Sequence, residues 1–144
     1  MGERTLCHVL PGVFLALPLL LPSCDSEEVV VDGFVEGHFV VEGSITGASG
    51  EAVPGAVIVL RVREDDCDNS DVTSPRTVES DSSGNFLHTV ILPLFIPQVC
   101  LVYRVTPPQG TGLETVEREI PEVTVLPVSV PPDTVEILVT LEAM

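Results

Sequence analysis

Five carboxylates fall within eight residues at Glu64-Asp65-Asp66-Cys67-Asp68-Asn69-Ser70-Asp71. Carboxylate oxygens are hard donors, of which a calcium ion gathers about six to eight. Asp66, Asp68 and Asp71 are the candidate ligands. The stretch has neither the glycine nor the closing glutamate of an EF-hand loop, and a solvated acidic loop is the commoner reading of such a charge run. Among the histidines, His38 and His88 lie in strand-like contexts with no nucleophile, base or further ligand at a recognised spacing. No catalytic site, no metal site and no cofactor is therefore expected. The cysteines are Cys7, Cys24, Cys67 and Cys100; Cys67 and Cys100 show no CxxC spacing and no histidine beside them, which ranks a zinc-binding or reactive thiol low there. What these thiols do depends on the compartment.

The amino-terminal end speaks to that. Arg4 and the terminal amine precede an apolar run from Val9 to Leu21, interrupted by Pro11 and Pro18. A spanning helix needs roughly 20 apolar residues without breakers, so this run reads as a secretory leader and not as a permanent span. It closes on Leu21-Pro22-Ser23-Cys24. Leu21, Ser23 and Cys24 resemble the lipobox of bacterial lipoproteins, with Pro22 an uncommon residue at the second position. The resemblance implies a lipidated Cys24 as the mature first residue, and several acyl chains hold a protein stably where one does not. Asp25 follows the cysteine, a placement that favours the inner membrane in enterobacterial lipoproteins; across lineages the outer membrane is slightly preferred. The competing reading is a leader cut near Ser23 to release a soluble secreted protein. With Cys7 in the leader and Cys24 acylated, Cys67 and Cys100 remain as a pair in an oxidising setting, and a disulfide is the economical outcome. Closing a ring of about 34 residues stabilises a fold by roughly 3 to 4 kcal/mol, less any strain.

The body must be built from strands. Val41, Gly43 and Ile45 alternate with Glu42, Ser44 and Thr46, Ala56 to Arg63 is dominated by β-branched residues, and Val99, Leu101, Tyr103 and Val105 share one face of the best central strand. Short strand-like stretches follow at 77–80, 86–92, 113–120, 122–130 and 134–142. Pro93 and Pro97 bracket Leu94-Phe95-Ile96, which cannot sit in a central strand because the ladder donors are missing; it caps the core or forms a contact patch. Outside the leader no 3.6-residue apolar period persists, so few helices are expected. About seven short strands with turns between them predict an all-β antiparallel Greek-key sandwich. The formal net charge is −16, from 22 acidic and 6 basic residues. Nucleic acid, which needs clustered cations, is excluded as a partner.

Three segments then fall into a recognisable order: Val41-Glu42-Gly43-Ser44-Ile45-Thr46-Gly47, Gly50-Glu51-Ala52-Val53-Pro54-Gly55-Ala56, and Asp81-Ser82-Ser83-Gly84-Asn85-Phe86. They resemble the carboxypeptidase regulatory-like domain, a transthyretin-like sandwich, over roughly residues 40–105. The resemblance implies an accessory, interaction or structural module; it does not imply peptidase activity. The loop from Glu64 to Pro75, with its Cys67, departs from the family pattern. Hydroxyisourate hydrolases of related architecture end in Tyr-Arg-Gly-Ser; this chain ends Leu141-Glu142-Ala143-Met144.

The expected organisation is a lipoprotein signal peptide over 1–23, an acidic tether over 24–38 and the sandwich domain over 39–144. The expected function is a lipid-anchored envelope protein, not an enzyme, whose sandwich is a non-catalytic binding or structural module. Its partners would be the membrane, through the lipid anchor, and an unidentified protein or glycan. The alternatives are a soluble secreted calcium-dependent adhesion module and, ranked lower, a hydrolase.

Overall fold

Side-chain alternation along each strand decides which face goes inward, and the computed structural model follows it. The structure describes residues 35–64, 66–68 and 70–144. The leader and Cys24 lie outside the described residues, as does most of the tether. Among the described residues there is no helix. Eight strands form: β1 (Gly37–Gly47), β2 (Val57–Glu64), β3 (Arg76–Glu79), β4 (Asn85–Leu92), β5 (Gln98–Thr106), β6 (Val116–Thr124), β7 (Leu126–Pro127) and β8 (Thr134–Leu141). That is one more than the seven or so expected.

One sheet has β1 at its centre, with β4 on one side and β7 and β8 on the other; the second has the order β3-β2-β5-β6. Every pairing is antiparallel except β1 with β8, which run parallel from Val40↔Thr134 to Gly47↔Leu141. The inward side chains of both sheets meet in one apolar cluster. Phe39, Val41 and Ile45 of β1 and Ile137, Val139 and Leu141 of β8 pack with Ile58, Leu60 and Val62 of β2 and with Val99, Leu101 and Val105 of β5. At roughly 25 cal/mol per Å² of apolar surface buried, this cluster is the main source of stability.

Two turns shape the sheet ends. Asp81 accepts hydrogen bonds through Oδ1 from the amides of Ser83 and Asn85, each at 2.9 Å, and Gly84 sits at φ +76° where a Cβ would lie 2.5 Å from the Ile45 carbonyl oxygen. Only glycine fits that position. Ser80 is buried, donating to the Val53 carbonyl (2.7 Å) and accepting from the Ala56 amide (2.9 Å). The Val53–Ala56 turn is thereby fastened to the end of β3.

The carboxyl-terminal third differs from expectation. Leu113–Ile120 and Glu122–Val130 are expected as separate strands divided by Pro121, yet β6 runs through that proline. A register shift between Val99/Leu101 on β5 and Val123/Ile120 on β6 places Pro121 and Glu122 in a bulge. There the missing proline N–H costs no ladder bond, on a strand that is an edge of its sheet. Glu122 takes φ +60°, the one positive φ outside glycine among the described residues.

Candidate functional site

Where β4 hands the chain from the first sheet to β5 of the second, Pro93 ends one ladder and Pro97 precedes the next. The crossing segment cannot pair on either side. It lies over one end of the sandwich and forms a wall of a cleft of about 770 Å³. Leu92 and Ile96 supply its apolar floor, Leu94 and Phe95 its lip, and Ser70, Asp71 and Val72 the opposite wall, with Val35 and Glu64 at the rim. Leu92 is fully buried, Ile96 packs partly buried against the core, and Leu94 and Phe95 remain 48% and 40% exposed. The segment thus does both jobs foreseen for it, capping the core with one residue and presenting two others. Gly37 lies beneath the lip and makes room for Val125: a Cβ there would stand 2.5 Å from Val125 Cγ1, and at an ordinary contact distance of 3.5 Å from the Phe95 ring.

The opposite wall belongs to the acidic loop, and it is held in several ways. Cys67 and Cys100 are joined in a disulfide, with Cα atoms 5.2 Å apart and a sequence separation of 33. The Val72 amide donates to the Val62 carbonyl at 2.8 Å. Arg63 donates from Nε to Asp71 Oδ1 at 3.3 Å and from its terminal nitrogen to the Cys67 carbonyl. Arg61 lies 3.7 Å from the second Asp71 oxygen. The loop is therefore a braced wall.

The calcium candidates are engaged in different ways. Asp66 Oδ1 accepts from the Asp68 amide at 3.0 Å, Asp68 is exposed, and Asp71 is turned to the two arginines. Asp66, Asp68 and Asp71 are not gathered around one point, and among the described residues no three His, Cys, Asp or Glu side chains are grouped to hold a metal ion. The histidines are also apart. His38 is paired with Ile91 on the outward face of β1 and its Nε2 is 2.6 Å from the Val130 carbonyl, whereas His88 pairs with the inward-facing Val41. Sequence reasoning missed Arg61, Arg63 and Ser80. For the arginines the signal was present, since an Arg-x-Arg spacing on a strand puts both side chains on one face.

Neither a protein-family model nor a curated protein sequence matches this chain. Solved structures do resemble it. The 3-chlorocatechol 1,2-dioxygenase of Rhodococcus opacus 1CP aligns with a TM-score of 0.52 at 11% identity, over 74% of this chain and 60% of that one. The dioxygenase domain of a dioxygenase–carbohydrate-binding fusion from Streptomyces sp. SirexAA-E aligns with a TM-score of 0.52 at 12% identity, over 81% and 86%. Catechol 1,2-dioxygenase of Acinetobacter radioresistens gives 0.51 at 12%, over 75% of this chain and 52% of that enzyme. The chain thus spans less than two thirds of the first and third of these enzymes. Identity this low makes the likeness one of fold.

The neighbours correct the functional expectation. The sequence predicts no enzyme and a non-catalytic binding or structural module, yet these solved structures of similar fold are dioxygenases. An all-strand body without a recognisable motif was weak ground for excluding catalysis, because function resides in sites carried by a fold and not in the fold.

Proposed function

We propose that this chain is an exported protein, anchored to a membrane by lipid on Cys24, whose transthyretin-like sandwich takes a small neutral aromatic compound into the cleft between the Pro93–Pro97 crossing and the disulfide-braced loop. One observation carries this reading: the cleft joins an apolar floor and lip, Leu92, Ile96, Leu94 and Phe95, to polar residues opposite and at the rim, Ser70, Asp71 and Glu64. A cavity of about 770 Å³ is within the usual range for small-molecule sites, which are mostly apolar with a few placed polar groups. Aromatic rings stack on Phe95, hydroxyl donors find acceptors at the rim, and the acidic rim repels anions. Hydroxylated aromatics meet those terms, and catechol, named in the neighbouring dioxygenases, is the probe chosen from the class.

The transthyretin-like assignment is supported by the quoted segments, each of which has a backbone reason for its residues. Gly43 lies against the Ile137 carbonyl, Gly55 sits at φ +72° in the turn into β2, and Gly84 at φ +76° ends the Asp81 turn ahead of the buried Phe86.

Titration of the isotope-labelled chain with catechol tests the cleft. Saturable shifts confined to the amides of Leu92–Gln98 and Ser70–Thr73 are expected, weakened at least about tenfold in Phe95→Ala. Shifts that are absent, or unchanged in Phe95→Ala, sink the reading. Following the catechol concentration in air reports whether it is turned over as well as held. Mass spectrometry of the mature amino terminus tests the anchor, with acylated Cys24 expected and an unmodified terminus against it.

A further inference from the structure

All the arginines among the described residues, Arg61, Arg63, Arg76, Arg104 and Arg118, lie on strands of the β3-β2-β5-β6 sheet, and none on the other. Three of them share its outward face. Ile58, Leu60 and Val62 point into the core, so Arg61 and Arg63 point away from it; Leu101, Tyr103 and Val105 point inward, so Arg104 points outward too. The register sets them close together, because Arg61 is opposite Val102, Arg63 opposite Cys100 and Val59 opposite Arg104. Arg61 and Arg104 are therefore diagonal neighbours across one strand pair, within reach of a shared ligand. With Val59, Val102 and Glu117 the three line a depression of about 270 Å³.

In a chain of formal net charge −16, three guanidinium groups on one patch are an exception to the surrounding field. Asp71 answers two of them, at 3.3 Å and 3.7 Å. Arg104 has no ion-pair or hydrogen-bond partner among the described residues, although Glu117 is opposite it on β6. Each guanidinium offers five donors in a planar fork suited to carboxylate and phosphate oxygens, and the single Asp71 carboxylate leaves most of them unused. Val59 and Val102 line the same depression as an apolar surface beside those donors.

We propose that Arg61, Arg63 and Arg104 form a binding site for a small oxyanion, of the phosphate or carboxylate class, on the outward face of this sheet. Asp71 acts as its internal competitor. The site lies on the outward face of the sheet and shares Asp71 with the cleft wall, so Arg104, which does not line the cleft, is the residue that tests it separately. The acidic surroundings keep binding weak and selective for compact anions that fit among the three forks, because a bulky polyanion meets Glu117 and Glu119, opposite Arg104 and Val102, at the margins.

Titration of the isotope-labelled full-length chain with inorganic phosphate, read on the arginine Nε–H resonances, tests this. Sodium chloride of equal ionic strength serves as the reference. Saturable shifts of Arg104 and Arg61 are expected at millimolar phosphate. Arg104→Gln, an exposed substitution that keeps the fold, should weaken binding at least about tenfold, and Asp71→Asn should tighten it by about three- to tenfold. Shifts that chloride reproduces mean screening only and overturn the proposal. So does phosphate binding that is unaltered in Arg104→Gln, or an Asp71→Asn chain that retains its backbone spectrum and binds no more tightly than the parent.

Discussion

Arg63 reaches Asp71 across the neck of the acidic loop, Nε to Oδ1 at 3.3 Å, while donating to the Cys67 carbonyl on the same loop. One side chain on β2 thus holds the wall of the cleft at two points, eight and four residues downstream of itself. Both side chains of the pair are 25% exposed, so solvent weakens the attraction. Arg63→Met, which keeps the aliphatic stem and loses the donors, is expected to cost about 1 kcal/mol in urea unfolding and to speed hydrogen exchange at the Val72 amide. Unaltered exchange at Val72 would show that the loop is held by other means.

The Cys67–Cys100 bridge ties the same loop to the most buried strand of its sheet, since Cys100 is fully buried on β5. Replacing both cysteines with serine releases a ring of 33 residues' separation and is expected to lower stability by about 3 kcal/mol. Circular dichroism should keep its β signature, because the apolar cluster does not include the bridge. The exchange protection lost should be confined to residues 64–75. Loss spread over β1 and β8 would mean that the bridge organises the whole body.

How far the sequence discloses this arrangement varies with the range of the physics involved. Alternation is local, so Val57–Arg63 and Val99–Val105 are legible as strands with one inward face, and the pairing of Cys67 with Cys100 is legible by elimination once Cys7 and Cys24 are set aside. The parallel pairing of β8 with β1 is not, because no residue in Thr134–Leu141 marks the direction of its neighbour. Pro121 misleads for the opposite reason: a local rule against proline in strands gives way where an edge bulge leaves its nitrogen without a required partner. The arginine patch arises from register between segments some forty residues apart, as with Arg61 and Val102, and the cleft from two non-strand segments brought together at one end of the sandwich. Nothing local encodes that distance.

Tyr103 lies on the inward face of β5 and is 8% exposed. Burial raises its phenol above the ordinary value of 10.0, and Arg118, its cross-strand neighbour, acts in the other direction. A raised value in the fold means that the unfolded chain releases its proton first as pH climbs. The stability linked to Tyr103 is therefore intact below pH 10 and declines above it. Unfolding midpoints measured from pH 8 upward should fall on the alkaline side, and Tyr103→Phe should flatten that fall. A parent and a variant with parallel alkaline profiles would assign the effect elsewhere.

Glu122 holds φ +60° in the β6 bulge, a conformation that costs a non-glycine residue about 1 to 3 kcal/mol. Glycine adopts it freely but adds conformational freedom to the unfolded chain, which returns part of the gain. Glu122→Gly is accordingly expected to stabilise the fold by about 0.5 to 1 kcal/mol, with Glu122→Asn intermediate, by denaturant midpoint. A destabilised glycine variant would show that the glutamate side chain contributes more than its backbone strain removes.

Gly43 sits at the centre of β1 with Phe86 of β4 on one side and Ile137 of β8 on the other. A Cβ built there falls 1.9 Å from the Ile137 carbonyl oxygen and 3.0 Å from the Phe86 ring. The ring can rotate away; the carbonyl belongs to the backbone of β8 and cannot move without disturbing the parallel ladder. Gly43→Ala is therefore expected to lose at least about 2 kcal/mol, more than the cost of a methyl group crowded into a yielding core. Gly50→Ala is the control for substitution as such, because its Cβ would meet nothing within 4 Å, although its φ of +86° still carries backbone strain. If the two variants unfold at the same midpoint, the close approach of β8 to β1 is not what selects glycine at position 43. If Gly43→Ala alone collapses, the exchange protection of Thr134–Leu141 should be the first to go, since that strand pairs with β1 and with no other.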